Sequence, residues 1–353
     1  MDEHLLQARG HHGDTGSVSS GGGSASGTGR SHGDPLRIAG GRGPGGEPRF
    51  DQAVPPGGYL WWYADAMSDD HQHGLTLIAF VGSVFSPYYA WARSRGQGDP
   101  DHFCALNVAL YGRGPRRWSM TERGRRWCHR DATQFSIGPS QIRWDGSALA
   151  VQIDEVGAPW PRRIRGEVKI WPDRLFDYSV PLEVSGRHRW GPIAPSGRIE
   201  VTLQEPDLRW RGHAYLDSNE GDEPIESAFN QWNWSRMAWP DGSTQVVYDM
   251  QWPQSEDRVL NLRFDSHGRV DELPVEPVQT LAPTAWRVHR RARSEHSVTV
   301  HEQLEDTPFY QRCWLRQRAK GVDGLAFHET LSVPRLVSPV VRAMLPWRMP
   351  RRS

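Results

Sequence analysis

His188 and Trp190 stand two residues apart in RHRW (187–190), and Tyr215 and Asp217 stand two apart in GHAYLDSNEGDEP (212–224). Residues two apart on an extended chain point the same way, so each pair sets a proton-transfer group beside a π-system. Histidine, with an ordinary pKa of about 6.5, moves protons near neutrality. A carboxylic acid keeps its proton there only when desolvated or crowded by like charge. His213, on the same strand face as Tyr215, is a second candidate base. The aromatic-dense FNQWNWSRMAW (229–239) follows and brings Trp232 and Trp234 as candidate substrate-binding faces. Glu220, Asp222, Glu223 and Glu226 read mostly as a solvated acidic loop, with Glu220 or Asp222 close enough to crowd Asp217.

The elements that must hold these residues are strands. Short β-type runs broken by Gly, Pro, Asp and Asn fill the chain from near Phe50: 75–85, 103–111, 141–144, 148–154, 198–203, 244–252, 258–264, 286–289 and 297–304. In RVLNLRF (258–264), Leu260, Leu262 and Phe264 take one face and Val259, Asn261 and Arg263 the other. Many short strands argue for barrels or sandwiches rather than α/β layers. Gly and Pro concentrate at 186–195, which reads as the junction between two β lobes, 48–195 and 196–335. Residues 1–47, rich in Gly and Ser and poor in bulky apolar side chains, read as a disordered tail. The apolar, basic-flanked segment 336–353 reads as a turn or two of helix, limited by Pro339 and Pro346, that packs on the body or rests on anionic lipid.

Composition removes several classes of function. With 42 basic and 42 acidic residues the chain lacks the basic excess of a nucleic-acid binder. The stretches RGPRR (113–117) and RGRRWCHR (123–130) therefore read as solvated loops or lipid-headgroup contacts. Three scattered cysteines suit reduced thiols in the cytosol, not a disulfide framework or a zinc site. No apolar run reaches the roughly 18 residues of a membrane span, and the opening MDEHLLQARG lacks a signal-peptide core. Asp69–His73 (DDHQH) has metal-ligating residue types, but consecutive side chains on a turn diverge, so it reads as a solvated loop. Nucleotide-binding glycine patterns and a hydrolase nucleophile elbow are absent. The 17 tryptophans offer large apolar faces suited to flat ligands and to cations.

The segments WWYADAMSDD (61–70), GLTLIAFVGSVFSPYYAWAR (74–93), GHAYLDSNEGDEP (212–224), WNWSRM (232–237) and LEDTPFYQR (304–312) resemble the carotenoid 1,2-hydratases, or hydroxyneurosporene synthases, of purple phototrophic bacteria. The resemblance covers residues 48–347. It implies a mainly β protein of two lipocalin-like barrel lobes, in line with the strand reading. It also implies an activity: addition of water across the terminal 1,2 double bond of an acyclic carotene such as neurosporene or lycopene, without cofactor or metal. In the mechanism expected of the family an Asp protonates C2, a tertiary cation forms at C1, and a His-activated water captures it. The family's H-x-W and Y-x-D pattern falls on His188, Trp190, Tyr215 and Asp217. On that implication Asp217 is the acid, His188 (or His213) the base, and Trp190 and Tyr215 stabilise the cation, each π contact contributing roughly 2 kcal/mol when desolvated. The partners implied are the carotenoid, water and the inner, photosynthetic membrane, met peripherally from the cytoplasm. A non-catalytic lipocalin-like carotenoid or lipid binder would need the tryptophans but not the His and Asp. A carbohydrate-active protein would need two carboxylates across a cleft.

Overall fold

Tyr59–Ser68, YLWWYADAMS, is buried almost throughout because both of its faces are covered. Tyr59, Trp61 and Tyr63 join one core, while Leu60, Trp62, Ala64 and Ala66 join another. A near-continuous apolar run is what such a doubly covered strand requires. This strand, β1, lies at the centre of the computed structural model, which describes residues 40–253, 257–319 and 321–352.

From β1 the chain builds antiparallel hairpins through β2 (His73–Val81), β3 (Cys104–Gly112) and β4 (Arg117–Arg123). Shorter strands β5 (Cys128–Arg130), β6 (Gln134–Ile137) and β7 (Ser140–Trp144) lead to β8 (Leu149–Val156), β9 (Arg163–Pro172) and the two-residue β10 (Val180–Pro181). The long pair β11 (His188–Glu205) and β12 (Leu208–Gly221) then returns to lie beside β1. The hydrogen-bonded order is β4-β3-β2-β1-β12-β11-β9-β8-β7-β6-β5. This sheet curls around the apolar core of Leu60, Trp62, Leu77, Ile153, Val168 and Val201.

A second sheet holds β13 (Gln231–Ala238), β14 (Thr244–Gln251), β15 (Arg258–Phe264) and β16 (Val270–Glu272). After a separate small hairpin, β17 (Val278–Thr280) and β18 (Arg291–Arg293), it is completed by β19 (Thr299–Asp306), β20 (Tyr310–Ala319) and β21 (Val322–Ser332). Its order is β16-β15-β14-β13-β21-β20-β19. Leu260, Leu262 and Phe264 face the first sheet, as their alternation requires, and pack with Trp61, Tyr63, Trp190, Tyr215, Trp232 and Trp234 in a shared aromatic core. Asp65 of β1 and Arg236 of β13 form a buried ion pair across the two sheets (Nε to Oδ1 2.6 Å).

Helix α1 (Pro87–Arg93) follows β2, capped by the Ser86 side chain on Tyr89 N. Helices α2 (Val333–Leu336) and α3 (Pro339–Arg348) end the chain, with β22 (Arg351–Arg352) pairing in parallel with β4.

The fold is mainly β with curled, lipocalin-like sheets, as expected, but several local expectations change. Residues 286–289 form no strand; a turn and extended backbone with Arg287 at φ 52° stand there. Most of the Gly- and Pro-rich stretch, residues 188–195, lies inside β11, and the change from one sheet to the other falls between Gly221 and Gln231. Those glycines and prolines accommodate two register shifts, between Pro192 and Ala194 and between Ala194 and Gly197. Bulges of this kind re-aim neighbouring side chains. The tail read over 1–47 lies outside the described residues as far as 39; residues 40–47 are ordered against the body. Gly41, at φ 81°, accepts the Trp62 indole proton on its carbonyl (2.9 Å), and Arg42 is only 8% exposed. Arg123, read in a solvated stretch, is buried and bonded to Glu155 (2.8 Å). The helix α3 runs ten residues through Pro346. Pro339 sits at its first turn, where no backbone N–H is needed, and Pro346 removes a single bond near the other end.

Candidate active site

Asp217 is wholly buried on β12, on the face that meets the second sheet. Its Oδ2 accepts the Trp190 indole proton (2.8 Å) and the Tyr215 phenol proton (2.9 Å). Oδ1 has no hydrogen-bond partner among the described residues. Desolvation raises the carboxyl to about 8, and the nearby Glu329 charge pushes the same way. The bonds from Trp190 and Tyr215 and the Arg42 guanidinium oppose this and lose. Asp217 therefore holds its proton at neutral pH.

Strand register explains the arrangement. Trp190 lies opposite Asn219 and Pro192 opposite Asp217, so Trp190 reaches diagonally to the carboxylate. On the other side Tyr63 of β1 is opposite Asp217, and Trp61 is opposite Asn219. Behind Asp217, on the reverse face of β12, Arg42 bonds Ser218 Oγ (3.3 Å) and the Phe176 carbonyl (3.2 Å). Burial lowers Arg42 to about 10, still cationic at neutral pH.

Asp217 opens onto a cavity of about 200 Å³ between the sheets, walled by Trp61, Trp232, Trp234, Phe80 and Tyr248. Asn219 also lines it and takes a long bond from the Tyr248 hydroxyl (3.4 Å). The rim carries Phe309 and Tyr310, from the β19–β20 turn and β20, and Val341, Met344, Leu345 and Arg348 of α3. A polar floor completes it. The Tyr63 hydroxyl lies 2.6 Å from Glu329 Oε1 and 3.0 Å from Asp65 Oδ2. Arg312, fully buried on β20, ion-pairs with Glu329 Oε1 (2.7 Å) and Glu305 Oε1 (2.7 Å).

Of the residues singled out from sequence, Trp190, Tyr215 and Asp217 converge on one carboxyl, and Trp232 and Trp234 line the cavity. Trp190 and Tyr215 stand behind Asp217 rather than among the lining residues. His188 is buried but pairs with Gly221, four residues and roughly 13 Å of strand from Asp217. Its Nδ1 bonds the Tyr59 hydroxyl (2.8 Å), and Tyr59 stacks on the cavity residue Trp61 (4.8 Å). Burial lowers the His188 pKa, so the ring is neutral. The other candidate base, His213, is 59% exposed beside Arg198 and Asp69, four residues before Asp217 on β12. Neither histidine lines the cavity.

The acidic stretch is not a solvated loop. Glu220 is buried in β12 and bonded to Arg189 and Gln52. Asp222 bonds the same Arg189, and Glu226 bonds Arg93. Glu220 lies on the reverse face from Asp217, and the like charge that crowds Asp217 in the cavity is Glu329, in HET (328–330) of β21. No spacing pattern marks Glu329, Tyr63 or Arg42; in sequence Glu329 is an ordinary acidic strand residue.

Comparison with known proteins agrees with this architecture. The family model for carotenoid hydratase CrtC matches residues 77–353. An acyclic carotenoid 1,2-hydratase of Rubrivivax gelatinosus is 55% identical over 312 residues, covering 87% of this chain and 77% of that one. A second, from Thiocapsa roseopersicina, is 49% identical over 339 residues, covering 95% and 84%. Among solved structures, an AttH protein of Nitrosomonas europaea shares the fold, with TM-score 0.57 over 77% of this chain and 92% of that one at 14% identity. A buried, protonated carboxyl in an aromatic cavity and these matches lead to one assignment: the chain belongs to the carotenoid hydratase family and is, with it, a hydro-lyase.

Proposed function

We propose that the chain hydrates the terminal 1,2 double bond of acyclic carotenes such as neurosporene or lycopene through a tertiary carbocation. The observation that carries the reading is Asp217, protonated at neutral pH, with Oδ1 unbonded among the described residues at an aromatic cavity. Protonating an unactivated alkene needs a donor aimed at C2 that has kept its proton. Trp190 and Tyr215 position that donor, and they take up the charge on Oδ2 when the proton leaves. The cation at C1 has no polar handle and is met by the rings of Trp61, Trp232, Trp234 and Tyr248. His188 enters as a positioning residue, acting through Tyr59 on Trp61. Hydration is redox-neutral, so the reaction as written calls for no electron carrier.

A cavity of about 200 Å³ admits the end of an isoprenoid chain and leaves the rest outside. On α3, Val340, Met344 and Trp347 are 72%, 43% and 77% exposed at helical spacing beside the rim, with Arg348 and Arg352 also exposed. This stripe suits contact with an anionic bilayer holding the remainder of the substrate. Among the described residues no helix is long and apolar enough to cross a membrane.

Expression in cells that make neurosporene or lycopene, followed by pigment analysis, tests the reading. Wild type should yield the tertiary alcohol and Asp217→Asn should not. Full conversion by Asp217→Asn, or no hydroxylated product from wild type, overturns it.

A further inference from the structure

We propose that Glu329 is the general base of the hydration, taking the proton of the attacking water; this rests on Asp217 being the acid. Once C2 is protonated, a water molecule that bonds to C1 must shed a proton, and an acceptor has to stand in the same cavity. His188 and His213 do not line that cavity, whereas Glu329 does. Its position relative to the acid is set by two contacts. Tyr63 is the cross-strand partner of Asp217, and the Tyr63 hydroxyl is 2.6 Å from Glu329 Oε1. One tyrosine side chain thus spans from beside the acid on the first sheet to the base on the second.

The surroundings of the two carboxyls differ in the way an acid and a base require. Asp217 receives only neutral donors, an indole and a phenol. Glu329 carries the full guanidinium of Arg312 at 2.7 Å, itself buried and shared with Glu305. Two carboxyl groups in one cavity, one kept neutral and the other ion-paired, divide the roles of donor and acceptor between them.

The steps balance. The C1–C2 π bond breaks as its electron pair forms the C2–H bond with the Asp217 proton, leaving a carboxylate at Asp217 and a cation at C1. The water oxygen bonds to C1, and one of its protons passes to Glu329. Product leaves, and the proton returns from Glu329 to Asp217 across the same cavity, restoring both groups.

Deuterium exchange separates the two steps. Lycopene dispersed in detergent is incubated with the full chain in D₂O, and alcohol formation is followed together with deuterium at C2 of the recovered carotene. Without the base, the cation forms and waits with one H and one D on C2. As the chain end turns in the cavity, either can pass back to the Asp217 carboxylate, and loss of the H leaves deuterium in the alkene. Glu329→Gln should therefore lose alcohol formation by about a hundredfold or more while recovered lycopene still gains deuterium. Hydration within threefold of wild type overturns the proposal. So does loss of both hydration and exchange in a folded variant, because Glu329 would then serve protonation or structure. If Glu329→Gln does not fold, Glu329→Asp is read instead. Its ratio of exchange to hydration should exceed that of wild type, and an unchanged ratio overturns the proposal. Asp217→Asn should lose exchange and hydration together; if it still exchanges, it is the assignment of the acid that fails.

Discussion

The Trp190 indole nitrogen lies 2.8 Å from Asp217 Oδ2, and both side chains are cut off from solvent. A tryptophan in this position donates one neutral hydrogen bond and supplies no countercharge. The bond therefore orients the carboxyl without forcing it to ionise. A lysine or arginine there would lower the pKa far more and remove the acid from play.

Activity should follow the protonated form of Asp217. Its carboxyl is pushed up to about 8, so the rate falls about tenfold per unit above that pH. A pH–rate profile from 6 to about 10 checks this. A rate that does not fall across the alkaline part of this range would mean that Asp217 is not the acid.

Stability should fall with rising pH between 3.8 and about 8. Folded Asp217 keeps its proton to about pH 8, while its unfolded counterpart loses it from the ordinary value of 3.8. Between these values the folded state binds the additional proton, so its advantage is full below 3.8 and is lost as pH climbs toward 8. Asp217→Asn should remove this slope from denaturant midpoints measured at pH 5 and pH 8, and should be relatively more stable at the higher pH.

Trp190→Phe and Tyr215→Phe each delete a donor to the charged carboxylate. Such bonds contribute about 1.5–3 kcal/mol, so the pKa rises and the alkaline limb shifts upward by about one to two units. The maximal rate drops because a weaker acid protonates the alkene more slowly. A lower rate with an unmoved limb would show that these side chains only shape the pocket.

Trp347→Ser with Val340→Ser should weaken co-sedimentation with anionic liposomes at least tenfold, since burying each apolar side chain is worth about 1.5–3 kcal/mol. Point changes on the exposed stripe are preferable to truncation because Val341, Leu345 and Met349 of the same segment wall the cavity and pack in the core. Unchanged liposome binding would remove α3 as the contact.

Arg236→Ala should destabilise the fold by about 3–5 kcal/mol, the usual cost of leaving a buried carboxylate unpaired. Asp65 has no solvent to turn to, being 1% exposed where the two sheets meet. Pairing the change with Asp65→Asn should recover part of the loss in urea melts. No recovery would mean that packing, not charge, dominates there.

The sequence alone determined which side chains share a strand face. Tyr215 with Asp217, and Trp232 with Trp234, follow from two-residue periodicity, a local property of any extended chain. It also determined the β class, because short apolar runs separated by turn residues leave few alternatives. Only the tertiary structure decided depth and partnership. His188 and Asp217 look equivalent in their motifs, yet register sets His188 against Gly221 and Pro192 against Asp217, so that only the aspartate reaches the cavity. Glu220 and Glu329 are equally acidic in sequence; one is sealed behind the sheet by Arg189, and the other is carried from the distant β21 to within a hydrogen bond of Tyr63. Arg42 sits in a stretch whose composition argues against order, and its place depends on carbonyls and a hydroxyl contributed by strands and loops far along the chain. Alternation specifies a face; which residues from other strands meet that face is fixed by long-range pairing and by the packing of one sheet on the other.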